Sequence, residues 1–184
     1  MRFRFEFLDD RHIVMLHGAG PPPVTGWRDY LLQIRDKDLT SMGLLSFTNG
    51  GAPDPTQRQE LNHVIGGRYY ARAIVHRSTL VRGVVMAVSW FAPGVKAFSP
   101  WTWPAAAEHA HFKSDELVNL ASQVKRLHAG MSERIPWLES ALDQRYSLAP
   151  PDDCSSSPPV VSGGPSKKPT LTTTRAQLDV IKGR

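Results

Sequence analysis

Thr56 lies in the segment Asp54-Pro55-Thr56-Gln57, where its hydroxyl could accept a phosphate group. If this segment begins a helix, the positive end of the helix dipole would stabilise the added negative charge. The same four residues are also a strong helix start, with an acid at the N-cap, proline next and glutamine where a capping box requires it. The helix cap accounts for these residues without a phosphorylation switch. We therefore favour a structural role and keep Thr56 as the candidate phosphosite.

Gly50 and Gly51 come shortly before this segment and could cradle an anion with their backbone amides. Their spacing matches neither a Walker loop nor a dinucleotide-binding fingerprint. Paired glycines more often make a tight turn, and that is the interpretation we favour. Binding of an anion or a lipid at this loop stays open as an alternative.

His109 and His111, with Glu108 beside them, resemble a set of metal ligands. Residues two apart on a helix point in different directions, so this pair would chelate only if the segment were extended. No serine, cysteine or carboxylate is spaced to complete a catalytic triad with the histidines at the ends of the predicted strands, which are His12, His17 and His76. We predict no metal, no cofactor and no catalytic residue, and therefore a protein that is not an enzyme.

Large aromatic rings are concentrated in a short segment that contains Trp90, Phe91, Trp101 and Trp103. Core packing explains some of them, but a small sheet face does not readily hide all of them. An interface with another chain is an equally good explanation. A predicted helix over 114–130 could cover the group within the chain or pair with another copy, so a homo-oligomer through the C-terminal helices is one alternative.

Composition limits the class of protein. The 184 residues suffice for one domain with its own core and an appendage. The sequence has neither a long apolar run nor a signal peptide, which predicts a cytoplasmic protein without a membrane span. The single cysteine, Cys154, excludes an intramolecular disulfide. The net charge of +5 is spread over both halves, so we expect no nucleic-acid partner.

The stretch from Tyr70 to Pro100 organises the rest of the chain. Ala71–His76 is a short apolar run typical of a buried strand. Apolar residues three and four apart from Leu80 to Phe91 predict a helix, and Val95–Phe98 predicts another strand. A strand, helix and strand of this length form a βαβ unit, which implies parallel neighbours in one sheet.

The other predicted elements extend this unit to an α/β fold with a small mixed sheet, an N-terminal hairpin and parallel βα units. The predicted hairpin strands are 3–7, with alternating phenylalanines typical of an edge strand, and 12–17. The remaining predictions are a helix capped by Thr25 and ending at Lys37, a strand over 42–47, a helix over 54–65, and helices beginning near 103, 114 and 135. We divide the chain into an α/β domain (1–112), a helical extension (113–146) and a disordered tail rich in Pro, Ser and Lys (147–184).

Two stretches carry a resemblance to a known family: LLSFTNGGAPDPTQRQEL over Leu44–Leu61 and AIVHRSTLVRGVVMAVSWFAPGVKAFSP over Ala73–Pro100. Together with the hairpin before them they resemble the STAS domain, and more closely its SpoIIAA-like branch, over about the first 112 residues. STAS domains are non-enzymatic modules that bind partner proteins, often anti-sigma factors, and several are switched by phosphorylation at the start of the helix after the third strand. Thr56 holds that place here, while the usual Asp-Ser-Ser/Thr-Gly cluster is absent.

The resemblance implies a non-catalytic regulatory module that acts through protein association, with bacterial signalling as the implied setting. The predicted partner-binding surface comprises Asn49, Gly50, Gly51, Asp54, Thr56 and Gln57, with the turn of Trp101 and Trp103 as a second patch. One alternative is the small-ligand module mentioned above. Another is a carrier domain for a docking peptide in the tail, at Thr174–Ile181, although a frayed terminus is the interpretation we favour for that segment.

Overall fold

The fold was obtained as a computed structural model, which describes residues 1–89 and 94–144, without the side chains of 88 and 89. Several sequence predictions therefore lie outside the described residues. These are the predictions that concern Trp90, Phe91, Cys154 and the tail over 147–184.

One five-stranded sheet forms the centre of the domain, in the order β1-β2-β3-β4-β5. β1 pairs antiparallel with β2, whereas β2, β3, β4 and β5 are mutually parallel. The mixed sheet with an N-terminal hairpin is confirmed, as is the edge position of β1. The strands are Phe3–Phe7, His12–His17, Gly43–Thr48, Ala71–Val75 and Val95–Phe98.

Six α-helices occur in the described residues, and they divide between the two faces of the sheet. α1, α2 and α3 connect the parallel strands on one face, which we call the open face. α4, α5 and α6 cover the other, which we call the closed face. The helices are Val24–Arg35, Pro55–Ile65, Thr79–Ser89, Trp103–His109, Leu117–Ala129 and Leu138–Asp143, with short 3-10 turns at Leu39–Ser41, Pro100–Thr102 and Ser114–Glu116.

The closed face is a continuous apolar core. Val14, Leu45 and Val75 point from the strands toward α4, α5 and α6, and all three are fully or almost fully buried. The predicted stripes of α5 and α6 are buried here too, so the segment predicted as a helical extension shares its core with the sheet. Gly43 on β3 permits the contact with α4, because a Cβ at this position would lie 1.9 Å from the Ala110 carbonyl oxygen.

Two local predictions differ from the structure. The cap predicted at Thr25 is wrong, because α1 begins at Val24 after Pro23 and has no side-chain cap. α3 is a helix as predicted, but its apolar stripe is only partly covered: Val81 and Val85 are half-buried, whereas Leu80 is 76% and Val84 56% exposed. Within the described residues, none of the helices has both the length and the apolar character needed to cross a membrane.

Candidate functional site: a cavity on the open face of the sheet

A cavity of about 210 Å³ lies between the open face and α1, α2 and α3. Its floor is a row of side chains from neighbouring parallel strands. Met15 of β2 pairs with Ser46 of β3, which pairs with Ile74 of β4, and all three line the cavity. Because side chains alternate between the faces of a strand, the residues two positions before and after them point to the same face, and four of these also line the cavity: His17, Leu44, Thr48 and Arg72.

The walls of the cavity come from the three helices of the open face. Trp27 and Tyr30 of α1 are three residues apart, so both point to the same side of the helix, and both are buried. Leu61 of α2 and Val85 of α3 complete the apolar lining. Most of the lining is therefore hydrocarbon, as is typical of sites that hold small organic molecules.

The predicted glycine turn forms the rim. The Thr48 hydroxyl donates to the Gly51 carbonyl at 2.7 Å and accepts from the Gly50 amide at 3.1 Å. Gly50 has a φ of 100°, which favours glycine. The Gly51 amide donates to the Gly18 carbonyl at 2.8 Å, and a Cβ on Gly51 would lie 2.3 Å from the same oxygen. The turn is thus fastened to the loop that follows β2.

Three buried polar atoms at this cavity have no hydrogen-bond partner among the described residues: His17 Nδ1, Trp27 Nε1 and Arg72 Nε. Buried polar atoms in folded proteins are almost always paired with protein, water or a ligand. The closed face has one such atom, Trp137 Nε1. The unpaired atoms therefore belong mainly to residues that line one apolar space.

His17 is a neutral imidazole in this site. Its Nε2 lies 2.9 Å from Met15 Sδ, and because a thioether sulfur can only accept, Nε2 carries the proton. Nδ1 then has a free lone pair. Burial lowers the pKa of His17 to about 4, so the ring stays uncharged at neutral pH.

Arg72 supplies the positive charge of the site. Its guanidinium Cζ lies 5.1 Å from the Tyr70 ring centroid, and the Tyr70 hydroxyl lies 3.1 Å from that of Tyr30. Burial raises the pKa of both tyrosines, and the Arg72 charge offsets only part of this effect. Both hydroxyls are therefore neutral. Arg72 forms no ion pair within the described part of the chain.

The residues predicted to bind a partner have different environments. Asp54 and Gln57 form the predicted capping box, with reciprocal hydrogen bonds of 2.9 and 3.0 Å. Gln57 is buried and also donates to the Pro22 carbonyl at 2.8 Å. Thr56 is exposed, and Asn49 is half-buried beside the cavity rim. Of this set, Thr56 offers the most accessible side chain at the start of α2.

The two tryptophans of the second predicted patch differ in solvent exposure. Trp101 is 44% exposed, but Trp103 is buried and donates from Nε1 to the Ala141 carbonyl at 3.1 Å. Trp103 is therefore part of the closed-face core that α5 and α6 cover. His109 lies 3.0 Å from the Gly94 carbonyl through Nε2, and no cluster of metal-ligating side chains occurs among the described residues.

Sequence reasoning missed the cavity and the roles of Tyr30, Tyr70 and Arg72. One signal was present, namely the arginine within the short strand ARAIV of β4. A charged residue among the apolar residues of a strand between two other strands calls for a partner. His17 at the end of the apolar strand HIVMLH is a weaker signal of the same kind.

No family model matches this chain, and no curated protein matches it. Among solved structures, the chain is similar to the crystal structure of an uncharacterised protein of the DUF3478 family with a SpoIIAA-like fold from Shewanella loihica PV-4. The two share 15% identity at a TM-score of 0.40, over 52% of this chain and 83% of the other. The fold named for that protein is the one that the sequence resemblance predicted. A likeness at this level carries no conclusion about function.

Proposed function

We propose that this domain is a non-catalytic module that binds a small, largely apolar molecule in the cavity of the open face. The observation that supports the proposal most strongly is the apolar space that the described side chains leave unfilled, where three lining residues each have a buried polar atom without a partner among the described residues. An unfilled cavity and an unpaired polar atom both destabilise a fold. A bound molecule that fills the space would remove the first of these penalties.

The polar groups of the cavity support binding rather than catalysis. The Thr48 hydroxyl donates to a backbone carbonyl, and His17 Nδ1 accepts no hydrogen bond from Thr48 or Ser46. A nucleophile activated by a base needs such a contact. The lowered pKa of His17 also makes it a weak base at neutral pH.

A dye-binding experiment tests the proposal. The fluorescence of N-phenylnaphthylamine, a neutral apolar dye, should rise when the full chain is added. Ile74→Trp should abolish this rise, because the indole fills the floor of the cavity. Ile74→Leu, which conserves the volume, is the matched control and should bind the dye like the unmodified chain.

Equal dye binding by the Ile74→Trp and Ile74→Leu variants would place the dye elsewhere and contradict the proposal. Circular dichroism of both variants establishes that the fold is retained. A chain that binds no apolar dye in any form would also argue against a ligand module.

A second candidate function is the association with a partner protein that the resemblance implies, and the exposed face of α3 favours it. Leu80 and Val84 are exposed, while Val81 and Val85 of the same helix line the cavity. One helix would then contact both a ligand and a partner, which is an arrangement suited to a regulatory role. Bacterial signalling is the setting that we propose for it.

Partner capture tests this second function. Leu80→Asp combined with Val84→Asp should reduce the amount of a specific partner retained on the immobilised chain. The matched control is Val118→Asp on α5, which changes an exposed apolar residue on the closed side of the molecule. If Val118→Asp reduced partner capture as strongly as the double substitution on α3, the loss would reflect added surface charge in general.

A further inference from the structure

From Leu80 to Ala87, the outward side of α3 carries no polar side chain. The exposed positions that are three and four residues apart are Leu80, Gly83, Val84 and Ala87. Residues with this spacing share one side of a helix. A Cβ added at Gly83 would meet no described atom within 4 Å, so the middle of this side is open. Surface helices normally place charged and polar residues here, and we call the four positions the apolar stripe.

Positive charge borders the apolar stripe at the start of α3. Arg77 is exposed just before the helix, and Arg82 belongs to its first turns. The Arg82 guanidinium donates to the carbonyls of His76 and Arg77 at 2.9 and 2.8 Å, which holds it beside the beginning of the helix. Neither arginine forms an ion pair in the described part of the chain. Two cations without an acidic partner therefore accompany the stripe.

The chain on both sides of α3 lacks acidic residues. No Asp or Glu occurs from Leu61 to Ala107, a segment that includes α3 and the neighbouring strands β4 and β5. The cations of the same segment are Arg68, Arg72, Arg77, Arg82 and Lys96. A part of the chain with this composition attracts anionic surfaces and repels another copy of itself. The partner that covers the apolar stripe is therefore expected to carry negative charge.

A membrane with anionic lipids offers both properties, because its anionic headgroups lie directly above hydrocarbon. Nucleic acid would match the cations but not the apolar stripe. We propose that the outward side of α3 binds to an anionic phospholipid surface, with Leu80 and Val84 in the interfacial layer and Arg77 and Arg82 near the headgroups. The contact is peripheral and involves one leaflet. It goes beyond the binding of a ligand in the cavity and does not depend on it.

Sedimentation of the full chain with lipid vesicles tests the proposal. Phosphatidylcholine vesicles that contain about 30% phosphatidylserine should bind the chain at about 0.1 M salt, where charge attraction is only partly screened. Vesicles of phosphatidylcholine alone should bind it at least about tenfold more weakly, because they offer no negative charge. Raising the salt to about 0.5 M should weaken binding to the anionic vesicles.

Substitutions separate the apolar from the charged contribution. Leu80→Gln combined with Val84→Gln removes apolar contact without changing the charge and should weaken vesicle binding roughly tenfold. Arg77→Gln should weaken it roughly fivefold, as expected for one cation near an anionic surface. The matched controls change exposed residues elsewhere, namely Val118→Gln on α5 and Arg11→Gln before β2, and should leave vesicle binding unaltered. Circular dichroism establishes that each variant is folded.

A fluorescent label locates the contact on the chain. An environment-sensitive nitrobenzoxadiazole label is attached to Gly83→Cys in a Cys154→Ser background, which leaves a single thiol. Its emission should shift to the blue when anionic vesicles are added, because the label enters an apolar layer. The same label at Ser122→Cys, an exposed position on α5, should not shift.

The outcomes separate this inference from the earlier proposals. It is overturned if anionic vesicles do not bind the chain, if the variant with glutamine at positions 80 and 84 binds them equally well, or if the emission shifts only at Ser122→Cys. Capture of a partner protein that depends on Leu80 and Val84, without vesicle binding, would also overturn it and would assign the stripe to the second candidate function. Dye binding in the cavity is measured without vesicles, so the proposed function is decided separately.

Discussion

Two buried histidines, one on each side of the sheet, have opposite environments. His128 on the closed side uses both ring nitrogens: Nδ1 lies 3.1 Å from Glu139 Oε1, and Nε2 accepts from the Ile135 amide at 2.8 Å. His17 on the open side has a weak sulfur acceptor for one nitrogen and nothing in the described residues for the other. A fully paired polar group stabilises the fold, whereas an unpaired buried one costs stability.

The apolar packing of the two faces differs in the same way. Leu120, Ile135 and Leu138 of the closed side are all at most 2% exposed. On the open side α3 packs chiefly against β5, and a cavity remains between the helices and the strands. Both faces bury an apolar cluster and both border a cavity in the described part of the chain, but the cavity of the open face has the more apolar lining, and three of its lining residues have an unpaired polar atom. We infer that the packing on the closed face contributes more to stability. Four experiments can contradict or sharpen this conclusion.

The largest effect is expected from the same substitution made on each face. Leu138→Ala should lower the free energy of unfolding by about 3 kcal/mol, because it leaves a cavity in a tightly packed core. Leu61→Ala should cost only about 1 kcal/mol, since this half-buried side chain already borders open space. Urea unfolding measures both, and equal costs would contradict the difference between the faces.

Acidification should destabilise the open face through His17. In the unfolded chain a histidine has a pKa near 6.5, whereas burial lowers the pKa of His17 to about 4 in the fold. Between these values the unfolded state binds more protons, so stability falls as the pH falls. We expect a loss of about 2 kcal/mol from pH 7 to pH 5.

The His17→Gln variant is the control for this pH effect. Its free energy of unfolding, measured in urea at both pH values, should change between pH 7 and pH 5 by about 2 kcal/mol less than that of the unmodified chain. A variant with the same pH dependence as the unmodified chain would show that another group is responsible.

A double-mutant cycle tests the pair of tyrosines that line the cavity. Tyr30→Phe and Tyr70→Phe should each cost about 1 kcal/mol, because each leaves the other buried hydroxyl without its 3.1 Å partner. The double variant should cost little more than either single one. Strictly additive costs in urea unfolding would mean that the two hydroxyls do not interact.

The smallest effect on stability is expected at Thr56. Thr56→Glu places an acid in the first turn of α2, at an exposed position, and should change the free energy of unfolding by less than about 0.5 kcal/mol. Capture of a partner should nevertheless change if the loop and helix start form the contact surface. Ser122→Glu, an exposed position on α5, is the control and should leave capture unaltered.

Most of the fold could be predicted from local pattern. Alternation identified β1, the apolar run identified β2, and the capping box located the start of α2. Periodicity also identified α3. A periodic pattern shows that a helix has an apolar stripe, but it does not show which residues cover that stripe. The exposure of Leu80 could therefore not be predicted. The burial of Trp103 could not be predicted either, because it depends on α6, which is distant in sequence.

The candidate site was much harder to predict. Its polar atoms come from separate elements, and the hydroxyls of Tyr30 on α1 and Tyr70 just before β4 meet across 40 residues of sequence. The size of a cavity depends on the distance between the helices and the sheet. The pattern of apolar residues in the sequence does not report that distance. The glycine loop was identified as a turn that could approach a ligand, but its part in the site depends on contacts that no local motif contains.

The fastening of Gly51 to the Gly18 loop has a kinetic consequence. On that side of the cavity the rim is fixed by a backbone hydrogen bond and by contacts too close for any side chain. We expect solutes to pass instead beneath α3, so the association rate should depend on how often this helix separates from its neighbours. Substitutions on its cavity-facing side could then change the speed of uptake and release together while leaving the equilibrium constant nearly unaltered.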